Sequence, residues 1–293
     1  MAKIAVGLEQ ALQARRINGE AGTATARTLA SGDGWRVNDV ICTSGPDDLP
    51  FEEQHHSVSI AIVVAGTFQY RAHASSAELL APGSFLLGTP GERFECAHEH
   101  AAGDRCISFQ FTPELFERIV ESPPRFRPQR LPPLRPTASL AARACAALAS
   151  DTSWEELAIE VAAKTVQLAN DVDVDRAAPL PSAVARVTRA VRAMENEPRP
   201  LLELASDARL SPYHFLRTFA RVTGVTPHQF TLRARLRDAA VRLATDDARV
   251  IDVALDSGFG DVSNFNRAFR AEFGVNPRAY RRGADLDGPR LVR

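Results

Sequence analysis

Residues Ile251 to Tyr280, IDVALDSGFGDVSNFNRAFRAEFGVNPRAY, decide the fold of this chain. Asp261 can cap a helix, Phe265 and Phe269 stand four apart on one face of it, and Gly274 ends it ahead of Pro277. A shorter apolar segment, from Val250 to Ser257, precedes this helix across a tight turn. The pattern also occurs fifty residues upstream. Ser211, Phe215, Arg217, Phe219, Gly224, Val225, Pro227 and Phe230 return as Asp261, Phe265, Arg267, Phe269, Gly274, Val275, Pro277 and Tyr280. Two copies of one small helical unit imply two similar surfaces for one partner.

Helices are predicted at 183–196, 201–208, 211–223, 227–245, 250–257, 261–273 and 277–282. Phe215 and Phe219, and likewise Phe265 and Phe269, should face inward. That leaves Tyr213, His214, Arg217 and Arg221 outward in the first unit, with Val262, Ser263, Asn266, Arg267 and Arg270 outward in the second. Arg can bond guanine through two hydrogen bonds, Asn can do so with adenine, and Val or Tyr can touch a thymine methyl. A helix over 227–245 is about 28 Å long at about 1.5 Å per residue. It would hold two recognition helices near the spacing of successive major grooves, about 34 Å apart on B-DNA. The competing reading is a generic helical bundle with solvated arginines.

Charge points the same way. The 293 residues carry a net charge of -1, but residues 184–293 hold 19 Arg against 13 Asp and Glu, which is +6 and leaves -7 for the rest. A basic half beside an acidic one suits contact of that half alone with a polyanion. Only two residues of the chain are Lys, so a genome that favours Arg codons explains part of the pattern. The composition, 45% apolar and 24% charged, is that of a globular protein. No run approaches the roughly 20 apolar residues of a membrane span, and no apolar signal core follows the N-terminus, so a cytoplasmic protein without a membrane partner is expected. Cys42, Cys96, Cys106 and Cys145 then read as thiols or ligands, not a disulfide framework.

Between residues 35 and 112, short apolar runs alternate with turns such as Gly66-Thr67, Pro82-Gly83 and Pro90-Gly91, the pattern of a β-rich domain. A proline-dense connection follows at 123–136, then two amphipathic helices within 139–170 and a break at 171–181. The helical pair could cover the sheet or form a dimer interface, since either buries the same stripe. The expected division is 1–136 for the β domain, 137–170 for the helical pair, 171–182 for a linker, 183–283 for the helical DNA-binding domain and 284–293 for a tail.

The two-unit region resembles the AraC/XylS family of bacterial transcription regulators, most specifically over Ile251 to Tyr280. The resemblance implies base-facing positions at Tyr213, Leu216 and Arg217 and at Val262, Ser263, Asn266 and Arg267. Leu216 and Val262 stand where family members often carry polar residues, which weakens the hydrogen-bond code there. The β-rich half is similar to the cupin-like sensor domain of that family through Gly66, Leu80-Ala81-Pro82-Gly83 and Pro90-Gly91, with Ser84 in place of a commonly acidic residue. The implied fold is α+β and multidomain: a cupin-like barrel with two helices, then an all-α double helix-turn-helix domain. The implied partners are double-stranded DNA, RNA polymerase, a small-molecule or metal effector and a second copy of the chain, and the implied action is activation.

One cluster suggests chemistry of its own. Cys96, His98 and His100 alternate along an expected strand, with Cys106 across the turn, and two thiolates with two imidazoles suit Zn or Cu(I). The alternative is an ordinary polar strand face, or a reactive thiol at Cys96 or Cys106. The His-rich pattern of metal cupins is not evident, because His55 and His56 are adjacent and should face opposite ways. No enzymatic activity is expected. A metal-dependent cupin enzyme, and a DNA-binding protein that answers to no effector, are the readings that compete with an effector-responsive regulator.

Overall fold

The computed structural model describes residues 3–72, 76–121, 125–149, 153–171, 179–196 and 199–283. The expected tail at 284–293 and most of the expected linker lie outside these. Helix α1 (Lys3–Asn18) leads into nine strands: β1 (Ala24–Gly32), β2 (Trp35–Cys42), β3 (Phe51–Gln54), β4 (Val58–Gly66), β5 (Phe68–Ala72), β6 (Glu78–Leu80), β7 (Phe85–Gly88), β8 (Arg93–Ala97) and β9 (Asp104–Phe111). After α2 (Pro113–Val120), β10 (Arg130–Leu131) joins the same region. The strands form two antiparallel sheets, in the orders β1-β2-β9-β4-β7-β10 and β3-β8-β5-β6.

Strand β4 shows why these sheets lie where they do. Val58 to Ala65 are all buried, because side chains of alternate parity meet different layers. Val58, Ile60, Ile62 and Val64 pack with Val37, Phe85, Ile107, Phe109 and Phe111 against covering helices. Ala61 and Val63 face the other sheet, in a core with Phe68, Tyr70, Leu80, Leu86, Cys96 and Cys106.

The covering helices are α3 (Arg135–Ala147) and α4 (Trp154–Asn170). Ser153 caps α4 by accepting the Glu156 N–H, and Leu157, Val161 and Ala162 bury against the sheet. The stripe shared by the sheet-cover and dimer readings is therefore already occupied by the chain's own sheet. Small residues let α3 serve two layers at once: Leu140, Ala141 and Ala144 meet the sheet, while Ala138 and Ala142 enter a core of the C-terminal helices. The proline-dense connection is not bare coil, since Arg130 and Leu131 pair with Leu86 and Phe85.

Every regular element among the described residues of the C-terminal half is a helix: α5 (Pro181–Asn196), α6 (Leu201–Asp207), α7 (Pro212–Thr223), α8 (Pro227–Thr245), α9 (Val250–Asp256), α10 (Val262–Phe273) and α11 (Pro277–Arg281). The fifty-residue repeat is repeated capping chemistry. Ser211 accepts the His214 N–H at 3.3 Å and Asp261 accepts the Asn264 N–H at 2.7 Å. Thr226 and Gln229 form a reciprocal capping box, and Asn276 accepts the Ala279 N–H. Each unit has its own core, one around Phe215 and Phe219, the other around Phe265 and Phe269.

Gly224 and Gly274 end α7 and α10 at φ 82° and 78°, where a side chain is strained. Their surroundings differ. A Cβ at Gly224 would stand 2.4 Å from Pro132 Cβ, whereas nothing lies within 4 Å of one at Gly274. Gly274→Ala should cost about 1–2 kcal/mol from backbone strain alone. Gly224→Ala should cost about 1–3 kcal/mol more, because the proline contact must open. Equal urea midpoints for the two variants would contradict this placement of Pro132.

The N-terminal domain is seated on both units. Leu79 in β6 and Ala81 just after it belong to the core of the first. Arg130 ion-pairs with Glu78 at 3.0 Å and donates to the Thr223 carbonyl at 3.2 Å. Arg233 on α8 donates to the Pro133 carbonyl at 2.7 Å and ion-pairs with Glu272 of the second unit at 3.2 Å.

Candidate nucleic-acid interface

Helices α7 and α10 turn one face to their cores and the other to solvent. Phe215, Phe219, Phe265 and Phe269 are all fully buried. Tyr213, His214, Arg217 and Arg221 are exposed on α7, with Leu216 half-buried beside them. On α10, Ser263, Asn266, Arg267 and Arg270 are exposed and Val262 is half-buried. Each set of residues expected to face bases thus lies on one solvent-facing helix surface. Tyr213 is 65% exposed, a large aromatic ring held out in water, and the Arg217 guanidinium lies 5.8 Å from its centroid. Stacking of this kind preorders the arginine at little cost.

The basic residues differ in what they touch. Arg199, Arg242 and Arg249 are ion-paired with nearby aspartates or glutamates. Arg217, Arg267 and Arg270 have no carboxylate partner among the described residues. Cations left unpaired on a surface are those able to exchange counterions for phosphates.

Around the second unit, α9, α10 and α11 enclose a groove lined by Arg249, Arg267, Arg270, Arg278, Arg281 and Arg282. Arg249, Arg278, Arg281 and Arg282 were not among the residues singled out in the sequence. The basic density of the segment Pro277-Arg278-Ala279-Tyr280-Arg281-Arg282 was the available signal. Two of these side chains have local duties, since Arg249 pairs with Asp252 and Arg281 donates to the Ala248 carbonyl.

The four residues proposed as metal ligands do not come together as their spacing suggested. Strand β8 ends at Ala97, so the alternation does not run on to His98 and His100. His98 turns inward and is buried, its Nε2 2.7 Å from Asp104 Oδ1. His100 is partly exposed, with its Nε2 3.6 Å from Glu99, and leaves the set. Cys96 and Cys106 are buried in the space between the sheets. Burial, and then the nearby Asp104 carboxylate, push both thiols well above the ordinary range, which is the opposite of a reactive thiol. His55 and His56 do diverge: His55 is buried with Nε2 2.9 Å from the Tyr70 hydroxyl, and His56 is exposed.

A cavity of 720 Å³ separates the barrel from the C-terminal helices, bordered by Leu8, Leu12 and Gly66 on one side and by Arg192, Glu195, Arg237 and Asp238 on the other. Burial pushes the Glu195 carboxyl up to about 7, against the opposing pull of Gly66, Arg192 and Arg237.

Residues 204–283 match a family model described as a helix-turn-helix domain. The chain is 39% identical over 83 residues to the HTH-type transcriptional activator RhaS of Klebsiella pneumoniae, which is 28% of this chain and 30% of RhaS. It is 30% identical over 79 residues to the HTH-type transcriptional activator AarP of Providencia stuartii, 27% of this chain and 58% of AarP. The chain therefore matches under two thirds of the length of either activator. Among solved structures, an AraC-type transcriptional regulator from Chromobacterium violaceum aligns with 35% of this chain and 95% of its own, at 26% identity and a TM-score of 0.32. ToxT from Vibrio cholerae O395 aligns with 85% of this chain and 98% of its own, at 14% identity and a TM-score of 0.36.

Proposed function

We propose that this chain, whose residues 204–283 match a helix-turn-helix domain, is a regulator of the AraC/XylS type that reads two successive major grooves and answers to an effector. The observation that carries the reading is the pair of solvent-facing helix surfaces, each with arginines that no carboxylate neutralises among the described residues. The base-facing roles belong to Tyr213, Leu216, Arg217, Val262, Ser263, Asn266 and Arg267. His214, Arg221 and Arg270 stand beside them for the phosphates. Activation, with RNA polymerase as partner, is favoured over repression because RhaS and AarP are named as activators.

An effector must favour one arrangement of the domains over another, which requires a path from the sensor to the recognition helices. The seating of the N-terminal domain supports such a path. Leu79 and Ala81 sit in the core of the first unit, and α3 borders the core of the second. A change in the barrel at either place alters the setting of one recognition helix relative to the other. The reading assigns no catalysis to the chain and places it in the cytoplasm, where its DNA is. No described helix is long and apolar enough to cross a membrane. In a homodimer, the contact would use a surface other than the stripe that α3 and α4 bury against the sheet.

Selection from random duplex DNA tests the reading. The enriched sequences should contain two informative blocks one helical turn apart, about 10 base pairs centre to centre. A single block, or no enrichment above non-specific binding at moderate salt, would sink it.

A further inference from the structure

The N-terminal domain holds a second constellation, remote in character from the recognition helices. Cys42 at the end of β2 stands directly opposite Asp104 at the start of β9. The turn after β8 folds His98 back onto the same spot, where its Nε2 lies 2.7 Å from Asp104 Oδ1. The Cys106 thiol donates to Asp104 Oδ2 at 3.3 Å. One potential ligand atom each from Cys42, His98 and Asp104 lies within 4.8 Å of the others, and all three residues are buried.

We propose that Cys42, His98 and Asp104, completed by Cys106, bind one zinc ion. Packing alone gives a poor account of the cluster. Two thiols, an imidazole and a carboxylate share a buried site, and Arg105, the cation next along β9, is committed to Asp39 instead. His98 is the one ion-pair partner of Asp104 among the described residues. His98 Nδ1 is buried with no hydrogen-bond partner among the described residues, although the Cys42 thiol is near enough to influence the ring. Such an orphaned nitrogen costs stability unless something covers it.

The donor set selects the ion. Thiolate, imidazole and carboxylate together match the mixed preferences of zinc, which favours four tetrahedral ligands at about 2.0–2.3 Å. Ligand atoms around such an ion stand roughly 3.3–3.8 Å apart, so Cys42, His98 and Asp104 need to close by about 1 Å. Cys106, which touches Asp104 Oδ2 but lies outside that trio, has to turn further towards the ion. Binding releases the thiol protons of Cys42 and Cys106, and any proton carried by His98 in excess of the neutral ring, to solvent. With four protein ligands the site is closed, as in structural zinc centres, and offers no open position to a substrate.

The test uses the full 293-residue chain, purified without a metal-affinity tag under reducing conditions, stripped of metal and titrated with Zn2+ or Co2+. About one zinc per chain is expected, together with the visible bands of tetrahedral Co2+ and its thiolate charge-transfer absorption. Cys42→Ser and Asp104→Asn should each weaken zinc binding at least about tenfold. His100→Ala should bind like the parent. The proposal is overturned if the reconstituted parent binds no zinc, if its cobalt spectrum is octahedral and lacks thiolate bands, or if His100→Ala loses the ion while Cys42→Ser keeps it. The cobalt spectrum of the parent decides even where a variant fails to fold. None of these readouts involves DNA, so failure here leaves the DNA-binding reading intact, and the reverse.

Discussion

Arg217→Ala and Arg267→Ala should each weaken binding to the selected two-block site by about 1–3 kcal/mol. At roughly 1.4 kcal/mol per factor of ten, that is about five- to 150-fold in affinity. The two losses should differ in where they fall. Both guanidiniums are exposed and without a carboxylate partner among the described residues, but one projects from α7 and the other from α10. Arg217→Ala should therefore relax preference in one block and Arg267→Ala in the other, with the remaining block read as before. Loss of a phosphate contact would instead weaken all sequences alike and flatten the salt dependence by about one unit of slope. The measurement is fluorescence anisotropy on the selected site and on single-block mutants of it, at two salt concentrations. Parent-like affinity for both variants would remove the paired-groove reading.

Phe269→Ala should destabilise the protein by about 3–5 kcal/mol, the usual cost of emptying a well-packed aromatic site. Phe269 is fully buried and meets Phe265 at 5.4 Å, Phe273 at 4.5 Å and Tyr280 at 5.3 Å between ring centroids. Phe269 stands at the middle of the aromatic cluster that fills the second unit, together with Phe259, Phe265, Phe273 and Tyr280. A loss of that size is comparable with much of the roughly 5–15 kcal/mol that holds an ordinary domain. Because the core around Phe215 and Phe219 is separate, the first unit should survive better than the second. Denaturant unfolding should show the loss as a lowered first midpoint. Footprinting should show protection fading over the block assigned to Arg267 before that assigned to Arg217. A change under about 1 kcal/mol, or equal loss at both blocks, would contradict the separation of the cores.

The helical half was legible because its information is local. Caps, the four-residue spacing of Phe, and a left-handed glycine each act within one or two turns. Helices expected at 227–245, 250–257 and 261–273 occupy Pro227–Thr245, Val250–Asp256 and Val262–Phe273. The outward residues followed from the same periodicity. Recognition surfaces are in this sense helical surfaces first, and their composition can be read before any tertiary contact is known.

The β-rich half was legible as a class but not as an arrangement. Short apolar runs and turns announced strands, yet α1, β1 and α2 carried no strong periodic signal and were not expected. Strand order and register arise from pairing between residues far apart in the chain, which no short window contains. The buried cluster illustrates the difference. Cys96, His98, His100 and Cys106 were joined by their closeness in sequence, and the end of β8 at Ala97 broke that grouping. Cys42, 62 residues from Asp104, entered through the register of β2 on β9.

By itself, then, the sequence determined the two repeated helical units, their inward phenylalanines and the polar faces opposite them, because each depends on interactions within a few residues. The tertiary structure alone decided which thiol meets which carboxylate, that α3 lies between the sheet and the second unit, and that Leu79 reaches the core of the first. Those contacts are set by long-range packing, in which a residue's neighbours depend on how every layer between them is filled.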